Sequence, residues 1–419
     1  MRRARMVLSM ICLAAAPLLG DEADRARAFA AFDRDDLATA RPLLRRDAAE
    51  TAFWLALAES GAERKAAVAE ASRLSAGAGG WIEPAARGLA AAEAGQLPDA
   101  VAALRQAVAD PDADGRVWKK LGDLLLAADD RAGARAAYQK SVALLPDYPA
   151  ALIELGDLQR EAGDFGAAFN SYNHAVGRAT ARLWMGDRDG AVADLDRAAT
   201  LAQPGAELYR ALMASVCLSA YERRLPQGLD RAERAVAMWQ ELGRADMAAA
   251  AANATGRLLL ETGDPAAAEA WYTRGGQIVE ASAMPPAERT IWKVRQLHGL
   301  ARAAAARRET ERAYQLAAEA QALMEKDTAN ADHYKWIGPY LTGYLLLAER
   351  RYDEALAELQ SSDTERAHIR LLIADAYARK RDRANARVWY ERALAAATGL
   401  DTESVLARPA AKAWLDKNR

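Results

Sequence analysis

The sequence is poor in cysteine, with 2 Cys among 419 residues. Cys12 lies in an apolar N-terminal run, and Cys217 lies in a stretch with helical periodicity. Two thiols so placed can build neither a disulfide framework nor a cysteine-based zinc site. We therefore interpret Cys217 as a small buried hydrophobic residue.

The sequence also lacks the runs of β-branched residues with alternating polarity that are typical of strands. Phenylalanine is scarce, with 5 residues, although hydrophobic residues make up 52% of the chain. Alanine dominates this apolar fraction, and alanine is the strongest helix former and lets helices approach closely. The composition therefore predicts an ordered, all-α protein.

Neither sign of charge predominates, because 56 Lys and Arg stand against 58 Asp and Glu. Nucleic-acid binding requires a clustered basic excess, so we expect no nucleic-acid partner. The sequence contains no phosphate-binding loop, no nucleophile elbow and no H-E-x-x-H zinc motif. The histidines lie far apart in sequence and without metal-ligand spacing, at His174, His298, His333 and His368. We therefore expect no enzymatic activity, no cofactor and no metal.

The N-terminus has the pattern of a secretory signal. Arg2, Arg3 and Arg5 precede an apolar stretch, Met6 to Leu19, of about 14 residues, which is too short to span a bilayer. This pattern predicts a signal peptide over residues 1–20, cleaved near Gly20, and an exported protein that is periplasmic in a bacterium. No second apolar run of membrane length follows, so we expect no membrane span in the mature chain.

The most informative pattern is an internal repeat with a period of 34 residues, seen by comparing segments 115–148 and 149–182. In the first segment the repeated positions are Trp118, Leu121, Gly122, Leu125, Ala134, Tyr138, Ser141 and Pro146. In the second segment they are Leu152, Leu155, Gly156, Gln159, Ala168, Tyr172 and Ala175. The chain thereby resembles the tetratricopeptide repeat family, whose motif has the same spacing.

The resemblance implies a right-handed α-solenoid of about eleven antiparallel helix hairpins, because weaker copies of the pattern cover most of the remaining chain. Small residues such as Gly122 and Ala134 are expected where two helices cross. We predict a first solenoid over 21–177, an irregular short hairpin as a junction over 178–206, and longer-helix units over 207–335. Residues 336–419 are predicted to form C-terminal repeat units and a polar capping helix.

Segment 110–115, D-P-D-A-D-G, matches the first six positions of a calcium-binding loop. The twelfth position of that loop needs a bidentate Glu, and here it is Leu121, which the repeat requires as a core residue. The alternative is a turn between helices in which Asp114 or Gly115 caps the next helix. The sequence favours the turn and leaves weak calcium binding open.

In the resembling family, the first helix of each hairpin lines a concave groove that binds peptides. Carrying the groove positions over gives Lys119 and Asp123 in one repeat, which departs from the Lys and Asn of the family's clamp for C-terminal carboxylates. In the later repeats the groove positions are Asn253, Arg257, Arg295, His298, Arg302, Tyr340 and Tyr344, with Ile337 beside them. These residues predict a groove that is basic on one side and aromatic on the other, suited to an acidic segment. The alternative is that they are solvated arginines and core tyrosines.

The leading functional hypothesis is a non-enzymatic scaffold that binds protein or peptide partners through the concave face. One alternative is a self-assembling structural subunit of an envelope machine. Another is a hydrolase on an α/α scaffold, which would need paired carboxylates in one cleft. Fold alone does not choose among these functions.

Overall fold

A computed structural model describes residues 52–54, 56–57, 61–77, 79–172 and 174–418. The predicted signal peptide, its cleavage point near Gly20 and the first predicted hairpin lie outside these residues. Within them the chain forms helices joined by turns and contains no strand. The all-α prediction is therefore confirmed.

The described residues fall into two compact units that divide within one helix, between Leu155 and Gly156. The helices of the first unit are α1 (Gly61–Ser75), α2 (Ile82–Glu93), α3 (Leu97–Ala107), α4 (Gly115–Ala127) and α5 (Arg131–Leu144). The dividing helix is α6 (Pro149–Glu161).

The second unit continues with shorter and then longer helices. They are α7 (Phe165–Ser171), α8 (Ala175–Trp184), α9 (Arg188–Leu201), α10 (Ala206–Tyr221), α11 (Leu229–Glu241), α12 (Ala245–Thr262), α13 (Pro265–Glu280), α14 (Pro286–Ala306), α15 (Thr310–Lys326), α16 (Ala331–Tyr334), α17 (Ile337–Ala348), α18 (Tyr352–Ser361), α19 (Ala367–Arg379), α20 (Arg383–Ala396) and α21 (Thr402–Lys417). Short 3₁₀ helices precede α11 and α16, at Leu225–Gly228 and Thr328–Asn330. The predicted junction, 178–206, falls on α8 and α9 of this unit.

The helices form antiparallel hairpins, and we call the first helix of each hairpin helix A and the second helix B. Helices A are α2, α4, α6, α8, α10, α12, α14, α17 and α19, each followed by its helix B. In five of the described hairpins, a glycine of helix A faces a large side chain of helix B, which lets the two helices approach closely. A Cβ on Gly122 would lie 2.4 Å from the Tyr138 ring, and one on Gly343 would lie 2.6 Å from Leu359. The expected small residue at the crossing is therefore required by direct contact.

Aspartates begin many of these helices by accepting backbone hydrogen bonds, as preferred N-cap residues do. Asp114 accepts from the Arg116 amide at 2.8 Å and begins α4. Asp130 and Asp264 begin α5 and α13 in the same way. In segment 110–115, Asp114 therefore has the capping role that the turn interpretation predicted.

The turn from helix A to helix B has one geometry throughout the described hairpins. The first or second residue after helix A has a positive φ. Its amide bonds to the carbonyl three residues back, and the next amide bonds to the carbonyl five residues back. This is a Schellman motif, in which glycine is the usual residue. The positions are Gly95, Asp129, Gly163, Gly186, Arg223, Gly263, Arg308, Arg350 and Arg381.

In the second unit the helices A close into a ring. Each of α10, α12, α14, α17 and α19 packs against the next, and α21 packs against α19, α10 and α12. Leu400 and Val405 join the apolar core around α10, while Ala407 and Ala411 pack between α19 and α20. The final helix therefore occupies the concave side of its own unit, and only its last turns carry the predicted polar surface.

The loop before α21 is anchored to the start of the same unit. Trp184 of α8 donates its indole N–H to the Thr398 carbonyl at 2.7 Å. Arg160 of α6 donates to the Thr398 hydroxyl, and Arg408 of α21 stacks on the Trp184 ring with its Cζ 4.6 Å from the centroid. The ring is thus closed by polar as well as apolar contacts.

No helix among the described residues is long and apolar enough to cross a membrane.

Candidate functional site

The centre of the ring holds a buried arginine, Arg302 of α14, whose side chain is 4% exposed. Its guanidinium donates to the hydroxyls of Tyr340 at 3.0 Å and Tyr272 at 3.2 Å. It also lies over the rings of Tyr340 and Tyr344, with Cζ 5.5 and 5.6 Å from the centroids. Three hairpins therefore converge on one cation, which is stabilised by hydrogen bonds and by ring electrons.

The counterion of Arg302 is Glu261 of α12. Glu261 Oε1 lies 3.5 Å from Arg302 Nη1 and 3.7 Å from His368 Nε2. Burial raises the pKa of Glu261, while Arg302 and Arg257 act against that rise. The two arginines thus oppose the effect of burial and favour the ionised form of the carboxyl group.

Two histidines flank the same tyrosine. The rings of His298 and His368 lie 4.9 and 6.1 Å from the ring of Tyr340, between centroids. Both are buried, and burial together with repulsion from Arg302 and Arg257 holds their pKa well below the usual value. His298 Nε2 and both ring nitrogens of His368 have no hydrogen-bond partner among the described residues. Both imidazoles are therefore neutral in the folded protein.

This burial predicts that the protein loses stability in mild acid. Below about pH 6.5 the unfolded chain binds protons on His298 and His368, while the folded chain does not. In this pH range each histidine therefore lowers the free energy of unfolding by about 1.4 kcal/mol per pH unit. We expect the free energy of unfolding to fall steeply from about pH 6.5 to about pH 5, and less steeply in His298→Gln and His368→Gln. Urea unfolding at several pH values measures this, and the comparison is His333→Gln, a partly exposed histidine whose pKa is lowered less by burial and by Arg295. Equal slopes in all four proteins would contradict the assignment.

A second cluster joins α21 to the ring, and we call it the carboxylate latch. It consists of Arg257 of α12, Arg366 just before α19, and Glu403 in the first turn of α21. Glu403 Oε1 lies 3.2 Å from Arg257 Nη1 and 2.6 Å from Arg366 Nη2. Arg257 Nε has no hydrogen-bond partner within the part of the chain that the structure describes. Two arginines from different hairpins thus hold one carboxylate, in the geometry that guanidinium groups favour.

Beside the latch lies a surface that we call the Arg–Trp mouth, made of Trp292, Arg295, Trp336 and Arg366. Arg295 Cζ lies 4.7 Å from the Trp292 ring centroid, and Arg366 Cζ lies 4.5 Å from that of Trp336. Partial burial and the neighbouring Arg366 lower the pKa of Arg295. Arg295 is exposed, and the other three side chains are partly exposed. Two like charges therefore stand near each other on an aromatic surface that faces solvent.

The described residues contain no group of three or more His, Cys, Asp or Glu side chains that could hold a metal ion. The two glutamates of the site, Glu261 and Glu403, both face arginines. The site's chemistry is therefore the recognition of carboxylates by guanidinium groups.

The hairpin packing and the repeated turns decide the fold. It is a tetratricopeptide-like α-solenoid. Among solved structures, a tetratricopeptide repeat protein from Parabacteroides merdae is 13% identical, with 75% of this chain and 91% of that chain covered and a TM-score of 0.30. A Rap protein complexed with competence and sporulation factor is 14% identical, with 95% and 98% covered and a TM-score of 0.39.

The TPR domain of P58(IPK) is 12% identical, with 86% of this chain and 79% of that chain covered and a TM-score of 0.26. At such identities the likeness concerns the fold alone. No protein-family model and no curated protein matches the sequence. Any function must therefore be argued from the side chains of this tetratricopeptide-like chain.

The structure brings together most residues of the predicted groove, but it does not leave them on an open surface. Arg302, His298 and Tyr340 are buried, and Tyr344 is half-buried. Arg257 belongs to the latch and Arg295 to the mouth, while Ile337 is buried. Asn253 faces α13, and its Oδ1 would lie 2.8 Å from a Cβ added to Gly275. Their role in partner binding stays a prediction.

Sequence reasoning missed the residues that complete the site. These are Glu261, Trp292, Trp336, Arg366, His368 and Glu403. Glu261 had a usable signal, because it follows Arg257 by one helical turn and so lies on the same face of α12. Glu403 had none, since nothing local shows that α21 returns to the concave side.

Proposed function

We propose that this protein is a non-enzymatic scaffold that docks an acidic segment of a partner protein on the Arg–Trp mouth. The observation that carries the proposal is the pair of arginines stacked on indoles, of which Arg295 is exposed and the partly exposed Arg366 already binds a carboxylate. Arg366 holds Glu403 while lying on Trp336. The chain's own acidic residue therefore illustrates the chemistry that a partner would use.

The composition of the mouth supports a protein partner. Tryptophan and arginine are the residues that most often dominate the binding energy of protein interfaces. A guanidinium on an indole face is held in orientation by the ring, so less freedom is lost when a carboxylate arrives. Burial and the nearby Arg366 both lower the pKa of Arg295, so the two guanidinium groups repel each other. An acidic segment would remove that repulsion.

The proposed location is the periplasm of a bacterium, and it rests on the N-terminal signal pattern alone. Arg2, Arg3 and Arg5 before the apolar stretch support export, with cleavage near Gly20. Fractionation of cells and determination of the mature N-terminus test it. An uncut chain recovered from the cytoplasm would contradict export while leaving the mouth untouched.

The docking proposal is tested by site-specific photo-cross-linking in cells. A photoreactive amino acid replaces Lys335, whose side chain is 77% exposed and which precedes Trp336. In a control, the photoreactive amino acid replaces Arg381, which lies at the opposite end of α19 from Arg366. We expect the Lys335 probe to capture a partner through a peptide rich in Asp and Glu, and Arg295→Gln with Arg366→Gln to reduce that capture at least about tenfold.

Three results would contradict the proposal. The cross-linked peptide would lack acidic residues, the double variant would capture as much as the wild type, or the Arg381 probe would capture the same partner equally well. Cross-links to a second copy of the chain would instead favour the self-assembling subunit. A circular-dichroism melt of the double variant checks that its fold is intact.

A further inference from the structure

Four arginines of the second unit adopt a backbone conformation that normally belongs to glycine. Arg223, Arg308, Arg350 and Arg381 have φ values between 58° and 65°. Each is the second residue after a helix A, at the same position of the Schellman motif. In the same unit, Gly163, Gly186 and Gly263 fill that position in the other hairpins.

The left-handed conformation costs an L-residue with a Cβ more than it costs glycine. A positive charge at a helix C-terminus recovers part of that cost by facing the negative end of the helix dipole. A positive charge near the helix end does not need to be at the strained position, however, because each turn has a second cation one residue away. These second cations are Arg224, Arg307, Arg351 and Lys380. The recurrence of arginine at the strained position therefore indicates a use for the side chain outside the turn.

The four side chains are exposed, and none has a hydrogen bond, ion pair or ring contact in the described part of the chain. The acidic residues of the same turns are already engaged. Glu222 pairs with Arg188, Glu309 with Arg312, Glu349 with Arg351, and Asp382 accepts from the Asn385 amide. The unpaired charge of these turns is therefore positive.

The fold gathers these turns on one edge of the ring. Helices A run in the same direction around it, so their C-terminal ends and the turns that follow lie on one rim. We call the edge that carries Arg223, Arg308, Arg350 and Arg381 the arginine rim. Each of its four turns has two cations and one acid, as in Arg307-Arg308-Glu309, and so one net positive charge. The Arg–Trp mouth lies at the opposite, N-terminal ends of α17 and α19.

We propose that the arginine rim binds the surface of an anionic phospholipid bilayer. Guanidinium groups on long, mobile side chains reach phosphate and glycerol headgroups, and each adds a modest electrostatic attraction near a charged membrane. The proposal is independent of partner docking on the Arg–Trp mouth, since the two surfaces share no residue. The protein would lie on the membrane surface with the mouth facing away from it.

A bilayer suits the rim better than a protein partner does. The four arginines come from separate turns, stand apart on the edge and are not stacked on aromatic rings, in contrast to Arg295 and Arg366. Specific protein interfaces depend on packed anchors in pockets, which such a row lacks. A flat surface with mobile charges needs only a shared edge and a net charge.

The test is co-sedimentation of the full chain from Asp21 onward with lipid vesicles at low salt. One set of vesicles is phosphatidylcholine, and the other contains about one quarter phosphatidylglycerol. We expect binding to the anionic vesicles only, reduced at least about tenfold in a variant with Arg223, Arg308, Arg350 and Arg381 all replaced by glycine. Added salt should weaken the binding of the wild type.

Glycine makes this variant informative, because it fits the positive φ and should leave the melting temperature unchanged or higher. The control is Arg295→Gln with Arg366→Gln, which should bind vesicles as the wild type does. Equal vesicle binding by the glycine variant, or no preference for anionic vesicles, would overturn the proposal. Capture of an acidic protein by the probe at position 381, with no preference of the wild type for anionic vesicles, would assign the rim to an acidic protein instead.

Discussion

Replacing Arg302 with methionine is expected to lower the free energy of unfolding by about 3 kcal/mol. Methionine keeps an unbranched, apolar side chain at this buried position, so the loss of stability comes chiefly from removal of the charge. Glu261 would lose the guanidinium at 3.5 Å, and the hydroxyls of Tyr272 and Tyr340 would lose their shared donor. A buried charge that has lost its partner costs more than the pair contributed.

This loss should depend on pH, because Arg302 pairs with Glu261 and repels His298 and His368. The pKa of Glu261 is already raised by burial, and removal of Arg302 raises it further. A carboxyl with a raised pKa in the folded state destabilises the protein above that pKa, and protonation relieves the cost below it. The difference between Arg302→Met and the wild type should therefore shrink between about pH 7.5 and about pH 5.

Urea unfolding at both pH values measures the effect, and Arg312→Met is the matched control. Arg312 forms ion pairs with Glu269 and Glu309 on the surface, where such pairs contribute about 0–1 kcal/mol. We expect a small loss in that variant at either pH. A loss of similar size in both variants, or one for Arg302→Met that does not change with pH, would show that Glu261 is not the dependent group.

Replacing Gly299 with alanine is expected to destabilise the protein by about 2–3 kcal/mol, because it overpacks the core. The new Cβ would lie 2.4 Å from the Tyr272 ring, which is 2% exposed. The ring cannot move away freely. Gly256 lies on its other side with a Cβ position 3.2 Å away, and its hydroxyl is held by Arg302.

Gly166→Ala is the control, since the same chemical change there should have the opposite sign. Gly166 lies in α7, is exposed, and has nothing within 4 Å of a Cβ. Alanine should raise stability there by up to about 1 kcal/mol through helix propensity. Urea unfolding and thermal melts compare the two. Stabilisation by both alanines would contradict the close packing at Tyr272.

The hairpins were predictable because their determinants repeat locally. Asp123 and Tyr138 lie 15 residues apart and are joined by a hydrogen bond of 2.9 Å, and Asp157 and Tyr172 repeat this pair at 2.6 Å. A tyrosine of helix B thus donates a hydrogen bond to an aspartate of helix A in the same hairpin. The 34-residue period therefore contains the packing information, and the fold follows from it.

The long hairpins depart from that pattern, and the candidate site was harder to predict for this reason. Arg257 stands 15 residues before Tyr272, where three other hairpins have an aspartate that bonds to the tyrosine of helix B. Tyr272 bonds instead to Arg302 of the next hairpin. That substitution was visible in the sequence, but its consequence depends on packing between hairpins. The burial of His298 and Tyr340 follows from the same contacts.

Closure of the ring lay beyond sequence reasoning. The repeat pattern predicts that hairpins stack, but it does not state the curvature of the stack. The contacts that close it join Arg160 and Trp184 to Thr398, which are more than 200 residues apart. A groove that the repeat pattern leaves open is therefore occupied by α21.

The central claim, that the Arg–Trp mouth binds acidic segments, is tested most directly by fluorescence anisotropy with a labelled peptide of alternating Glu and Tyr. The comparison includes the wild type, Arg295→Gln with Arg366→Gln, and the four-glycine rim variant. We expect saturable, salt-sensitive binding by the wild type and the rim variant, and affinity at least about tenfold lower in the mouth variant. Equal affinity in the wild type and the mouth variant would contradict the account.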